Sequence, residues 1–369
     1  MRRVGFIVNP IAGMGGRVGL KGTDSRAVLR RARERGAEPV APRRASEFIA
    51  ALGSLASAIE FVTCPGTMGE DVLRGHGLAP AVVPGRRRGQ TTAEDTRSAA
   101  AAMAKMGLDL ILFCGGDGTA RDVMDAVGQS VAVLGIPAGV KMQGGVFATT
   151  IREAASVTVR YLWGELPLRE GEVADVDEEA YRKGRLSTRL YGYLLVPYEP
   201  RAVQGMKAPA ALTDDVLENR DAIARYVVEG MEGDVGYILG PGSTVKAIGE
   251  RLGLPMTLLG VDLVKDGRVV AGDAGEADIL REMGSGSWKV VVSPIGRQGF
   301  LFGRGNQQLS PQVLRGAGKD GILVVATRDK MDGIDRLRMD TGDSEVDGLF
   351  QGVVKVLVDY GVFVAVRVE

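Results

Sequence analysis

Asp117 stands among glycines in LILFCGGDGTARDV (110–123), where an apolar run gives way to a helical pattern. A strand, a glycine turn and a helix start aim several backbone N–H groups at one point. That point favours an anion, because the helix dipole adds to the charge of the N–H groups. Gly115, Gly116 and Gly118 let phosphate oxygens approach where a side chain would block them. Thr119 reads as the helix cap and as a hydroxyl donor. A carboxylate beside phosphates is repelled unless it has a task there. Asp117 can accept the proton of an attacking hydroxyl, or hold Mg²⁺ directly or through water. A bare Asp-Gly pair is an ordinary turn with a capping acid. The whole GGDGT, set between a buried strand and a helix, points instead to phosphoryl transfer.

Other motifs have the same texture. NPIAGMGGRVGLKG (9–22) follows the apolar run VGFIV but has neither the Walker A nor the G-x-G-x-x-G spacing. Asn9 would stand at the carboxyl end of that strand, facing a nucleotide. Arg17 and Lys21 read equally as phosphate ligands or as solvated loop cations. GPGSTVKAIGERLG (240–253) is a second strand, glycine turn and helix, with Ser243 or Thr244 as the expected cap. SPIGRQGFLFGRGNQQLS (293–310) places Arg297, Gln298, Arg304, Asn306 and Gln307 on a polar loop that suits a nucleotide better than a core. Thr91 and Thr92 open a helix after the basic run PGRRRG and are the better phosphate candidates there. His76 reads as a surface residue.

Bulk properties remove several classes. Two cysteines, Cys64 and Cys114, exclude a disulfide framework or a cysteine zinc site, and both read as small buried thiols. A single histidine removes most triad and histidine-metal chemistry. A formal net charge of +0 gives no reason to expect nucleic acid or an anionic membrane as a partner. No secretory signal and no apolar run of membrane-spanning length is seen, so a cytoplasmic location is expected.

These residues must be held by a scaffold. At 369 residues, two domains are expected. Up to about residue 150, strands alternate with helices, which implies a doubly wound parallel sheet with ligands beyond its carboxyl ends. Beyond about 155 the runs VTVRYLWG, EGEVADVDEEAYR and STRLYGYLLVPYE read as strands without intervening helices. The expected division is an α/β nucleotide-binding domain over 1–150, a β-rich domain over 151–330 and C-terminal strands over 331–369 that extend or cross back to the first domain.

GGDGT after a strand resembles the signature of the superfamily of NAD kinases, diacylglycerol and sphingosine kinases and 6-phosphofructokinases. GPGST resembles the TGST motif of NAD kinases. With NPIAGMGG, GIPAGVKMQGGVFA, TTAEDT and SPIGRQGFLFGRGNQQLS, the chain is similar to the ATP-NAD kinase-like family of the AcoX type. The resemblance implies an NAD kinase-like α/β fold with a β-rich C-terminal domain and a site in the cleft between domains. It implies a cytoplasmic, Mg²⁺-dependent kinase using ATP, with NAD as acceptor and the 3′-hydroxyl favoured over the 2′. Asp117 matches the catalytic aspartate. Gly115, Gly116, Gly118 and Thr119 match the kinase motif, Gly242, Ser243 and Thr244 match the second glycine motif, and Gly139 is a further candidate for nucleotide binding. The Asn-Glu or Asn-Asp pair that holds the adenosine of NAD has no match here, and GIPAGVKMQ departs from the ordinary pattern. A lipid or sugar kinase on this fold, and a non-catalytic nucleotide sensor of acetoin metabolism, stay open as alternatives. Small-molecule nucleotides are the expected partners, and a homo-oligomer is expected.

Overall fold

The computed structural model describes residues 2–20, 26–85, 91–140, 142–176, 188–200, 202–203, 213–284, 286–295 and 299–369. β1 (Arg2–Val8) is buried from Val4 onward on both of its faces. Successive side chains point to opposite faces of a strand. Phe6 therefore stacks on Phe48 of α2 (Ala41–Leu52), while Gly5 faces Met103 of α4 (Ala93–Ala104). Such doubly covered strands are typical of parallel sheets. β2 (Ile59–Thr63), β3 (Ala81–Val82), β4 (Leu110–Gly115) and β5 (Val133–Pro137) complete a five-stranded sheet in the order β3-β2-β1-β4-β5, parallel throughout. α1 (Arg26–Glu34), α3 (Glu70–Gly75) and α5 (Asp117–Val127) belong to the same unit. α2 adds an element to the expected order. It starts with Pro42 in its first turn and buries Ala41, Ala45, Phe48, Ile49 and Leu52 at helical spacing.

The run VTVRYLWG is not a strand. It lies in α6 (Ile151–Leu162), whose cap Thr150 accepts the N–H of Glu153 at 3.1 Å. Val157, Thr158 and Val159 each lose a few tenths of a kcal/mol in a helix relative to good formers. Burial of Ile151, Ala154, Val157 and Leu162 on one face outweighs that, at roughly 0.8 kcal/mol per CH₂. Thr158 satisfies its hydroxyl on the carbonyl of Ala154 at 2.7 Å. β6 (Leu168–Val176) and β7 (Thr188–Pro197) then pair antiparallel.

Contacts within the chain define two units, residues 1–15 with 22–208, and 16–21 with 209–369. The division therefore falls near residue 208 instead of 150, because α6 and the β6–β7 pair pack with the first sheet. The C-terminal strands do not cross back. β15 (Gly352–Asp359) and β16 (Val362–Val368) extend the sheet of the second unit.

That sheet has seven strands. With β8 (Val235–Leu239), β9 (Asp262–Lys265), β10 (Arg268–Ala271), β11 (Ser287–Val292) and β13 (Ile322–Val325), its order is β10-β9-β8-β11-β13-β15-β16. β8, β11, β13 and β15 pair in parallel, β9 pairs antiparallel with both β8 and β10, and β16 pairs antiparallel with β15. Asp266 and Gly267 both have positive φ in the β9–β10 turn, which matches the twist of a two-residue hairpin. One face packs Tyr237, Leu239, Val291 and Val325 against α7 (Asp214–Glu229) and α8 (Ser243–Arg251). The other packs Ile238, Val290, Val292 and Val324 against α9 (Glu276–Met283), α10 (Pro311–Ala317) and α12 (Ser344–Leu349), which follows the short α11 (Arg328–Met331). β12 (Phe300–Phe302) and β14 (Arg338–Met339) form a separate parallel pair. The β-rich second unit is thus itself an α/β layer structure.

Cys64 and Cys114 are buried and free. Burial, with Asp95 nearby, pushes the Cys64 thiol up to about 12, and burial pushes Cys114 higher still. Both stay protonated near neutrality, so a thiol reagent at pH 8 is expected to label neither cysteine in the folded protein and both after denaturation. Rapid labelling of the native protein would contradict this packing. Among the described residues, no helix is long and apolar enough to cross a membrane.

Candidate active site

In the first unit the chain winds from β1 to β2 and β3, then reverses to β4 and β5. The reversal lies between β1 and β4, where open α/β sheets bind their ligands. Asn9 ends β1 there. Its N–H donates to the carbonyl of Cys114 at 3.0 Å, its Nδ2 donates to Thr119 Oγ1 at 2.9 Å, and its Oδ1 accepts the N–H of Ile11 at 3.3 Å. Asn9 therefore joins the two loops of the reversal.

α5 begins at Asp117, with Gly116 as its cap and no side-chain capping bond. The expected cap, Thr119, lies inside the first turn, buried, with its hydroxyl on Asn9. A side chain on Gly115 would strike Thr119, since a Cβ there would lie 2.4 Å from Oγ1. The N–H groups opening a helix have no partner within it, so α5 presents Asp117, Gly118 and Thr119 N–H at the sheet edge.

Asp117 is 4% exposed. Its Oδ2 accepts the N–H of Gln143 at 2.7 Å and its Oδ1 that of Gly144 at 3.1 Å. The acid thus secures the loop after β5 onto the start of α5. Two close backbone approaches complete the edge. A Cβ on Gly116 would lie 3.0 Å from Gly139 Cα. One on Gly13, at φ +80, would lie 2.1 Å from the carbonyl oxygen of Ala138. The loops after β1, β4 and β5 therefore meet at backbone distance. At the start of α4, Thr92 N–H and Thr92 Oγ1 both donate to Asp95 Oδ2 at 2.8 Å, as in an ordinary capping box. Thr91 Oγ1 is buried without a hydrogen-bond partner, which keeps it available to a ligand.

In the second unit, Gly242 caps α8 at φ +124, and neither Ser243 nor Thr244 makes a capping bond. Ser243 is exposed and Thr244 buried. The 293–310 loop is more structural than its composition suggests. Arg304 is buried against Asp340 at 3.1 Å and over the Phe300 ring at 4.2 Å. Asn306 is fully buried and donates to the carbonyl of Leu301 at 2.8 Å, while its Oδ1 has no hydrogen-bond partner. Arg17 belongs to this unit, its carbonyl accepting the N–H of Glu276 at 2.8 Å. Arg297, Gln298, Lys21 and the run 86–88 lie outside the described residues. His76 is exposed, with Nε2 2.7 Å from Ser46 Oγ.

Residues 4–166 match the model of the ATP-NAD kinase N-terminal domain, and residues 232–368 that of the C-terminal domain. The chain belongs to the ATP-NAD kinase family. It is a phosphotransferase with an alcohol acceptor. No curated protein and no solved structure gave a match. In this ATP-NAD kinase family member, two partners of Asp117 escaped sequence reasoning. The backbone N–H groups of Gln143 and Gly144 carry no side-chain signal, and only the paired glycines of MQGG mark a close approach there. Among the described residues no group of three or more His, Cys, Asp or Glu is arranged to hold a metal. Asp117 is the one acid of GGDGT, so a divalent ion here would depend on substrate phosphates and water for its remaining ligands.

Proposed function

We propose that this protein transfers the γ-phosphoryl group of ATP to a ribose hydroxyl of NAD, with the 3′-hydroxyl favoured, as an AcoX-type member of its family. The observation that carries this reading is the start of α5, where a helix N-terminus without a side-chain cap opens on a buried acid at the β1–β4 reversal. The N–H groups of Gly118 and Thr119 bind phosphate oxygens, and Thr91 Oγ1 adds a ligand. The Asp117 carboxylate, whose Oδ2 and Oδ1 accept the N–H groups of Gln143 and Gly144, is the base of this reading, since a carboxylate has more than two acceptor positions. It accepts the proton of the attacking hydroxyl as the new oxygen–phosphorus bond forms and the bond to the β-phosphate oxygen breaks, leaving ADP. Mg²⁺ bound here would be held mainly by the phosphates, with Asp117 as the carboxylate beside it, and would supply neutralising charge. Little else is required beyond alignment.

Incubation with ATP, Mg²⁺ and NAD, followed by chromatography, should give ADP and a phosphorylated dinucleotide in equal amounts. NMR of the product assigns the hydroxyl. Phosphate transfer to a lipid or sugar but not to NAD would favour the alternative kinases, and binding without turnover would favour a sensor.

GPGST and Asn306 are assigned to the dinucleotide, together with Arg297 and Gln298 of the same loop. Thr244→Val removes a hydroxyl at nearly constant volume. Because Gly242 and not Thr244 caps α8, stability should hardly change. KM for NAD should rise more than KM for ATP. Equal changes in both constants would remove Thr244 from dinucleotide recognition.

A further inference from the structure

We propose that the second unit carries its own phosphate-binding site, built by Lys330, Arg220 and Ser293 where its sheet reverses between β8 and β11. From β8 the chain turns outward through α8 to β9 and β10, then returns to the other side of β8 as β11. Ligand crevices open at such reversals, beyond the carboxyl ends of the strands. The GPGST turn leaves β8 there, and Ser293 leaves β11 beside it, for Gly240 N–H donates to the carbonyl of Val291 at 2.9 Å. A Cβ built on Gly242 would meet nothing within 4 Å, so the start of α8 faces open space.

Lys330 reaches this edge, and Arg220 stands on a helix packed beside it. Lys330, on α11 just past β13, donates from Nζ to Ser293 Oγ at 2.9 Å, and Ser293 is 2% exposed. Arg220, on α7, has its Nε buried without a hydrogen-bond partner. α7 packs on both α8 and α11. Its neighbour Asn219 ties the helix down, accepting the N–H of Arg328 at 3.0 Å and donating to the carbonyl of Val358 at 2.8 Å. The two cations act on each other. Burial, and then the Arg220 charge, push Lys330 down to about 8. Burial likewise lowers Arg220, against the opposing pull of the Glu250 charge. Among the described residues neither makes an ion pair with a carboxylate. Two half-buried like charges, one with a buried Nε that has no hydrogen-bond partner, disfavour the empty protein, and an anion removes both costs at once. A phosphate or pyrophosphate group suits this arrangement. Lysine supplies a point charge, arginine a planar fork, and the helix start its N–H groups.

The existence of the site rests on this geometry; the identity of its ligand, a phosphate of ATP or of NAD, rests on the nucleotide reading above. Calorimetry on the full chain with inorganic pyrophosphate, and with ATP and NAD separately, tests it through Lys330→Met and Arg220→Met. Both variants keep the aliphatic stem and relieve repulsion, so melting temperatures should hold or rise. Pyrophosphate binding at one site should weaken by about 10- to 100-fold. The nucleotide whose affinity falls in parallel is the ligand. Unchanged isotherms for all three probes in folded Lys330→Met, or in Arg220→Met should the first variant not fold, would overturn the site. Because no turnover is needed, pyrophosphate binding lost in these variants upholds the site even if the protein fails to phosphorylate NAD.

Discussion

Asp117→Asn is expected to lower turnover by roughly 10²–10⁴ and to lower the melting temperature as well. The two effects have separate causes. A carboxylate accepts the N–H groups of both Gln143 and Gly144. An amide offers one oxygen and one NH₂ group, so in either orientation one buried N–H faces another donor. Leaving that donor unsatisfied costs about 1–3 kcal/mol. For a unit of this size each kcal/mol is worth about 2–4 °C. Thermal melts read the structural part, and initial rates measured well below the transition read the chemical part. ATP binding followed by calorimetry separates them further, being largely kept if only the proton acceptor is lost. A variant that melts early but turns over normally would remove Asp117 from the chemistry and leave it as the fastening of the β5 loop.

Gly116→Val is expected to abolish measurable ATP binding and to destabilise the first unit by about 1–3 kcal/mol, the usual range for overpacking. From the sequence the position reads as an open surface turn, where the fold should survive unharmed. The structure corrects this. Backbone, not a flexible side chain, lies 3.0 Å from the first added carbon, at Gly139. The backbone at Gly116, with φ −122, is one that any residue adopts, so the cost comes from contact and not from strain. Gly116→Ala adds only that carbon and serves as the graded control. Its stability loss should be smaller, with ATP binding still weakened by the displaced loop. Normal ATP affinity in both variants would show that the start of α5 does not hold the phosphates.

The sequence alone determined where strands, glycine turns and helices follow one another, because that information is local. LILFCG is apolar at every position and can only be a strand covered on both sides, and the glycines after it mark a backbone held close to something. The motifs GGDGT and GPGST could therefore be placed at strand ends before any contact was known. Tertiary structure decided what the side chains there do. Asp117 and Thr119 carry the same letters whether they cap a helix or fasten a neighbouring loop, and only the position of the loop at 142–144 and of Asn9 selects the second role. The β-branched run in α6 became helix because the buried face of the first sheet outweighed local propensity, and this moved the division between units to residue 208. Lys330 looks like any surface cation in TRDK; it meets Ser293 only because parallel pairing of β11 with β13 sets their carboxyl ends side by side. Pairings between residues far apart in the chain leave no trace in either local pattern, since each partner's own neighbours would read the same without the other.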